Sequence, residues 1–170
     1  MLPRENVENL STFESFEAAR GAIERIVPYQ TTVTDLKALG FDVSDSGNVV
    51  QIPYPGLINR LVPDPNTPQA ALDPGIRDCI AARDACRAYE FRMGHLYRKR
   101  DGGFWADFFN FRRVTAISGW RFEGLIVVRD GVVLFRNFGG EPRIERSELQ
   151  VNPLGPLQSG GEAAGQLLVR

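Results

Sequence analysis

The residues of this chain that could carry out chemistry are few and lie far apart in the sequence. His95 is the only histidine, so any scheme that pairs a serine or cysteine nucleophile with a histidine base would have to use it. It lies beside Met93 and Tyr97 on the apolar face of a predicted strand, where a structural role is the simpler interpretation. Carboxylates such as Asp101 and Asp107 show no acid–base pairing. We therefore predict no catalytic residue and no enzyme activity.

Cys79 and Cys86 are the only cysteines, and three interpretations are open for them. On one unbroken helix their Cα atoms would lie about 10 Å apart, which is too far for a disulfide. If the helix ends near Asp84 and the chain turns back, the two could pair, and a disulfide would indicate an oxidising compartment. They could instead be two buried thiols. A zinc site would need further ligands, and we predict no metal.

A basic cluster is the other candidate site in the sequence. Arg98-Lys99-Arg100 and Arg112-Arg113 are expected at the ends of adjacent strands, where they could contact phosphate headgroups or an acidic partner. Charged residues at strand edges also protect a sheet from edge-to-edge pairing, so a solvated edge is the alternative. Aromatic residues around Trp105 could add to a partner contact or pack in a core. The candidate contact residues are Arg98, Arg100, Arg112, Arg113 and Trp105.

Composition and motifs exclude several classes of function. The chain has 170 residues, 43% of them apolar, 24% charged, and a net charge of −1. These values are typical of a globular domain and give no electrostatic argument for nucleic acid as a partner. No apolar run approaches the roughly 18 residues that cross a bilayer. Gly139-Gly140 lacks the residues that complete a phosphate-binding loop, and we predict no cofactor.

The most regular pattern in the chain is a β-hairpin centred on Asp130-Gly131. Two runs rich in β-branched and aromatic residues flank this dipeptide, which favours a type I′ turn. The register then places Arg129 opposite Val132 and Ile126 opposite Phe135. Alternation gives an apolar face, with Arg121, Glu123, Arg129 and Arg136 on the opposite face among Leu125, Val127, Val132 and Leu134. The apolar face consists of Trp120, Phe122, Gly124, Ile126, Val128, Val133 and Phe135.

Two short helices near the N-terminus are the expected cover for that face. Ser11 to Glu14 fits a capping box, and apolar residues then recur at helical spacing as far as Pro28. A second helix should begin with Thr32 to Asp35 and end at Gly40. The predicted fold is therefore α+β, with an N-terminal helical hairpin packed on one face of a roughly four-stranded antiparallel meander sheet.

The remaining segments are assigned by their turn residues. Prolines should limit residues 42–69 to a strand at Val49–Ile52 and one helical turn at Gly56–Leu61. Asp73-Pro74 predicts the start of a short helix that ends near Asp84. Predicted meander strands cover residues 87–99, 106–117, 119–129 and 132–138. The predicted organisation is a flexible segment at 1–12, a single domain at 13–145, and a loosely ordered tail at 146–170.

The order of these elements resembles that of the SmpA/OmlA family of outer-membrane assembly lipoproteins. Residues 26–40, which read Ile-Val-Pro-Tyr-Gln-Thr-Thr-Val-Thr-Asp-Leu-Lys-Ala-Leu-Gly, are similar to the family's helix–turn–helix. The sheet resemblance runs over about residues 86–144, and the fold is similar to repeats of β-lactamase inhibitor proteins. Where the family usually carries Gly-Met before the second helix, this chain has Tyr29-Gln30.

The resemblance implies a function in the bacterial envelope. It implies a non-enzymatic scaffold or adaptor in the periplasm, which binds another envelope protein and, in its native form, is attached to outer-membrane lipid by an N-terminal anchor. The alternative is an inhibitor-like module that blocks a secreted or periplasmic enzyme. Neither reading assigns binding residues one by one.

Overall fold

The computed structural model describes residues 6–9, 11–44, 47–100 and 112–151. Helices and strands alternate irregularly along the chain, and short 3₁₀ turns at Gln69–Ala71 and Arg83–Ala85 flank the fourth helix. The elements in order are β1 (Asn6–Asn9), α1 (Phe16–Glu24), α2 (Val33–Ala38), β2 (Val49–Ile52), α3 (Tyr54–Leu61), α4 (Pro74–Ala82), β3 (Cys86–Arg100), β4 (Arg112–Arg129) and β5 (Val132–Val151).

Contacts between residues divide the chain into two compact units. Among the described residues, the helical unit comprises those within 9–95 and 120–142, and the strand unit comprises 6–8, 96–100, 112–119 and 143–151. In the sheet, β3, β4 and β5 are neighbours in that order, and β1 and β2 both pair with β3. The antiparallel register of β2 and β3 places Val49 opposite Phe91 and Ile52 opposite Ala88.

The N-terminal helical hairpin packs on one face of the sheet in the helical unit, which confirms the predicted α+β fold. Alternate β4 residues face α1, and Gly124 lets the helix approach because a Cβ there would lie 3.1 Å from Ile23 Cδ1. The resulting first core consists of Phe16, Ala19, Ala22, Ile23, Ile26, Leu36, Phe41, Phe91, Met93, Trp120, Phe122, Ile126, Val128 and Val133. The predicted apolar face is therefore correct for its β4 residues and for Val133.

The sequence predicted the N-cap of α2 correctly but not that of α1. The helix α2 begins as predicted, with Thr32 as its N-cap; Thr32 and Asp35 form a capping box, and Leu39 is the C-cap. The N-cap of α1 is Ser15, whose side chain accepts a hydrogen bond from Ala18 N. The capping box predicted at Ser11 was wrong, because the Ser11 hydroxyl instead accepts a hydrogen bond from Phe13 N ahead of the helix.

A second helical layer covers the other face of the sheet. It is formed by α3 and α4, and its second core consists of Ile52, Leu57, Cys79, Cys86, Ala88, Val127 and Leu134. The single helical turn predicted at Gly56–Leu61 is in fact the eight-residue α3. Pro53 is its N-cap and Pro55 lies in the first turn, where proline is compatible with a helix. The helix predicted from Asp73-Pro74 is α4, with Asp73 as N-cap.

The strands are longer than the turn residues predicted. The segments assigned as 106–117 and 119–129 belong to one strand where they are described, because β4 runs from Arg112 to Arg129. Gly119 lies inside this strand with a φ of +141°, a backbone conformation that glycine adopts readily and other residues rarely do. Likewise β5 continues past residue 138, its predicted end: Gly140 has φ +126°, and a Cβ there would lie 2.2 Å from Arg121 O.

Alternation along β5 also departs from the predicted faces. The turn has the expected geometry, with φ of 50° at Asp130 and 77° at Gly131. However, Leu134 and Phe135 are adjacent in sequence and both pack in or against the second core. Arg136, which was predicted on the side opposite α1, donates from Nε to Ile26 O (2.7 Å) near the end of that helix. The predicted alternation therefore does not hold at Phe135 and Arg136.

The predicted terminal segments are partly ordered. Residues 6–9, assigned to the flexible segment, form β1, and residues 146–151, assigned to the loose tail, are the last residues of β5. Residues 152–170 lie outside the described residues. The single domain at 13–145 stays a prediction.

Candidate functional site

The connection loop, residues 27–31 between α1 and α2, is held against the start of β5. Tyr29 N donates to Val133 O at 2.7 Å, and Val133 N donates to Thr31 O at 2.9 Å. Thr32 and Val132 form an antiparallel bridge. The loop backbone is therefore held both by the start of β5 and by hydrogen bonds within the loop itself.

Tyr29 has an unusual backbone conformation for an aromatic residue. Its φ is +64°, a region that costs a non-glycine residue roughly 1–2 kcal/mol. Its side chain is 46% exposed, and its hydroxyl donates to Asp78 Oδ2 on α4 at 2.6 Å. This hydrogen bond, with smaller effects of burial and of the Asp78 charge, raises the pKa of Tyr29 to about 12. The phenol is thus a neutral donor at physiological pH.

Val27 extends the exposed apolar surface beside Tyr29. Its side chain is 45% exposed, while its backbone N donates to Thr31 Oγ1 at 2.8 Å inside the loop. The residue borders a cleft of about 360 Å³ between the end of α1 and α2. The cleft is lined by Arg25, Val27, Gln30, Thr31, Asp35, Ala38 and Leu39. The surface combines apolar side chains with a fixed backbone, which suits the binding of another protein.

The one carboxylate of this cleft is already committed to structure. Asp35 accepts hydrogen bonds from Thr32 N at 2.9 Å and from the Thr32 hydroxyl at 2.7 Å. The backbone bond first, and the hydroxyl bond second, lower the pKa of Asp35 below its usual value. Asp35 is therefore ionised at neutral pH and has no proton to donate. The cleft can hold a side chain but offers no acid for catalysis.

A second cleft, of about 250 Å³, lies over β3, β4 and β5 and includes Arg60, Glu90 and Glu123 in its lining. Glu90 is only 6% exposed. Its carboxylate accepts hydrogen bonds from Arg60 Nη1 and from Arg92 Nε, the latter at 2.6 Å. Burial alone would raise the pKa of Glu90, but the bonds from Arg92 and Arg60 outweigh it and the pKa is lowered. Glu90 is therefore an ionised group that joins α3 to β3, and the sequence analysis did not identify it.

The two cysteines are joined by a disulfide. The Cα atoms of Cys79 and Cys86 lie 5.2 Å apart, about half the separation expected on a continuous helix. The helix α4 ends at Ala82, and Arg83 has a φ of +51° where the chain turns back toward β3. Of the three interpretations, the bonded pair is the one found.

The basic residues predicted as contacts are brought to one end of the sheet in the strand unit. Arg98 is exposed near the end of β3, and Arg100 is its last residue. Arg112 and Arg113 begin β4, the neighbouring strand. Trp105 lies outside the described residues. Contact of this cluster with a partner or headgroup stays a prediction.

His95 is half-buried in β3, a different element from the connection loop. Within residues 6–9, 11–44, 47–100 and 112–151, no three His, Cys, Asp or Glu side chains form a group that could hold a metal. In the same part of the chain, no helix is long and apolar enough to cross a membrane.

Comparisons of the chain with models of protein families, with curated proteins and with solved structures gave no match. The resemblance to the SmpA/OmlA family therefore depends on the residues quoted above and stays a prediction. The geometry of the connection loop is the strongest functional feature in the described part of the chain.

Proposed function

We propose that this protein is a non-enzymatic adaptor of the bacterial envelope, which binds another envelope protein through the connection loop and the cleft beside it. The native form would be attached to the outer membrane, as the resemblance to the SmpA/OmlA lipoproteins implies. The connection loop and its cleft are the proposed binding surface, and the disulfide supports a periplasmic location.

The conformation of Tyr29 is the observation that carries the proposal. A glycine, which the resembled family usually has at this place, would adopt a φ of +64° without strain. The tyrosine is held there by Val133 and Asp78 while almost half of its side chain is exposed. A strained aromatic residue on a fixed loop is a frequent property of binding sites. Tyr29 is also of a residue type enriched at interfaces.

The disulfide supports the compartment. Disulfides persist in the periplasm and other oxidising environments and are rare in the reducing cytosol of most bacteria. Cys79 is fully buried and Cys86 is 4% exposed, so the bond is part of the second core rather than an exposed reactive pair. We therefore favour a periplasmic location over a cytosolic one.

Site-specific photo-crosslinking in native envelopes tests the proposal. A photoreactive amino acid replaces Val27, and the matched control replaces Val50, which lies on β2 and has a similar exposure of 50% against 45%. We expect a discrete crosslinked protein from position 27 and much less from position 50. Equal crosslinking from both positions, or none from position 27, would contradict the proposal. A crosslinked hydrolase whose activity falls on binding would favour the inhibitor alternative.

A further inference from the structure

The disulfide fixes the last turn of α4 to the first residue of β3. Cys79 lies in α4, four residues before Arg83, and Cys86 is the first residue of β3. The turn between them contains Arg83 at φ +51°, a strained conformation that persists only where the surroundings hold it. Cleavage of the S–S bond would remove one of those restraints at the end of a helix of only nine residues.

The same helix holds the connection loop. Asp78, directly before Cys79, accepts the Tyr29 hydroxyl bond at 2.6 Å. The N-terminal part of α4 packs tightly elsewhere, since a Cβ on Gly75 would lie 2.0 Å from Leu134 O. Motion at the Cys79 end would therefore move Asp78 more than the start of the helix. Only Asp78 lies between Tyr29 of the loop and Cys79 of the disulfide.

We propose that the redox state of Cys79 and Cys86 sets the conformation of the connection loop, and through it the affinity of the binding surface; the second part rests on the proposed function. In the oxidised protein, α4 holds Asp78 against Tyr29 and the left-handed backbone is maintained. In the reduced protein, the end of α4 loosens, Tyr29 loses its acceptor and the loop relaxes. Binding is then weakened because the free loop must be ordered again.

The chemical step is reduction of one S–S bond by a dithiol. The dithiol supplies two electrons and two protons, becomes a disulfide itself, and leaves thiols on Cys79 and Cys86. Oxidation by a disulfide reverses the step with the same balance. Because Cys79 and Cys86 are buried, the exchange requires a local opening at the end of α4, and a thiol–disulfide exchange protein is the class of partner that would drive it.

Nuclear magnetic resonance of the full chain tests the link without any binding partner. The oxidised wild type is compared with Cys79→Ala/Cys86→Ala, with labelled tyrosine to follow the Tyr29 phenol and amide exchange to follow Val33 and Val133. We expect the Tyr29 pKa to fall from about 12 toward its ordinary value of 10.0. The amides of Val33 and Val133 should exchange at least ~10-fold faster, because the hydrogen bonds from Val33 N to Gly131 O and from Val133 N to Thr31 O open more often.

Variants at Asp78 separate this link from general destabilisation. Asp78→Ala in the oxidised protein should reproduce the looser loop with the disulfide intact, whereas Asp78→Asn keeps an oxygen acceptor and should retain the amide protection. Combining Asp78→Ala with the double cysteine variant should add little further exchange. Unchanged loop exchange in the double cysteine variant, or fully additive effects, would overturn the inference. Loop loosening without any loss of crosslinking at position 27 would instead contradict the proposed binding surface alone.

Discussion

Tyr29 and Ile126 show how single residues take their roles from different kinds of contact. Tyr29 depends on partners that are distant in sequence, Val133 and Asp78, and its pattern alone gives no indication of a strained backbone. Ile126 belongs to a regular alternation in which every second residue faces α1. It is fully buried in the first core. The role of Tyr29 could be understood only from the fold, whereas Ile126 was assigned to the correct face by its position before a two-residue turn.

The burial of Ile126 leads to a stability prediction. Ile126→Ala should lower the free energy of unfolding by about 2–5 kcal/mol, because it removes buried methylenes and leaves a cavity. Arg129 directly precedes Asp130, and its side chain is 38% exposed. Arg129→Ala should therefore change the free energy of unfolding by less than about 0.5 kcal/mol. Denaturant unfolding monitored by tryptophan fluorescence compares the two. Similar losses for both variants would show that the faces of β4 are reversed.

At the scale of elements, local signals worked where they were strong and failed where tertiary contacts decided the outcome. The start of α2 at Thr32 and the turn at Asp130-Gly131 were predicted correctly from two to four residues each. The α3 helix was underestimated because its prolines lie in the first turn, where they do not interrupt it. Glu90 was missed because α3 packing over β3 brings Arg60 to it from 30 residues away, although its other partner, Arg92, lies on the same strand.

The Arg60–Glu90–Arg92 cluster leads to a pH-dependent prediction. The folded pKa of Glu90 is lowered, so its contribution to stability is present above the unfolded value of about 4.5 and is lost as the pH falls below it. Glu90→Gln should cost about 1–3 kcal/mol at neutral pH, since an amide cannot satisfy both guanidinium groups. The variant should also lose less stability than the wild type on acidification.

Unfolding free energies measured at pH 7 and at several values below 4.5 would check this difference. Glu123→Gln is the matched control, because Glu123 is an exposed carboxylate lining the same cleft. A wild-type protein whose acid sensitivity equals that of Glu90→Gln would contradict the assigned direction of the Glu90 pKa.

At the scale of the whole molecule, the two helical layers are stabilised in different ways. The first core joins fourteen buried residues from α1, α2, the segments that follow these helices, and three strands, among them four phenylalanines and a tryptophan beside the aliphatic side chains. The second core has seven, two of which are the bonded cysteines. The smaller layer therefore depends more on its covalent link, which a disulfide in a short loop supplies at about 2–3 kcal/mol.

The disulfide leads to a prediction for the whole chain. Thiol titration of the protein unfolded in denaturant, without reductant, should detect no free thiol, and titration after reduction should detect two. The result follows because the chain has only Cys79 and Cys86 and both are bonded. Detection of two thiols in unreduced protein from the native envelope would remove the argument for an oxidising compartment and leave the proposed location without physical support.

The sequence by itself determined the features that depend on neighbours along the chain. Threonine followed by aspartate three residues later caps α2, and Asp130-Gly131 turns the central hairpin, because these signals act through local hydrogen bonds and backbone dihedral angles. Alternation then assigned the β4 face of the first core. The helical hairpin on an antiparallel sheet follows from those local rules.

Only the tertiary structure decided the features that depend on residues far apart. The positive φ of Tyr29, the Arg60–Glu90 ion pair and the second layer on Val127 and Leu134 each need elements from separate parts of the chain. Strands β4 and β5 continue through Gly119 and Gly140, although glycine is a residue type that predicts the end of a strand. They continue because the neighbouring strands hold the backbone there. Such outcomes are set by packing, whose free energy outweighs the weak local preference of any one residue.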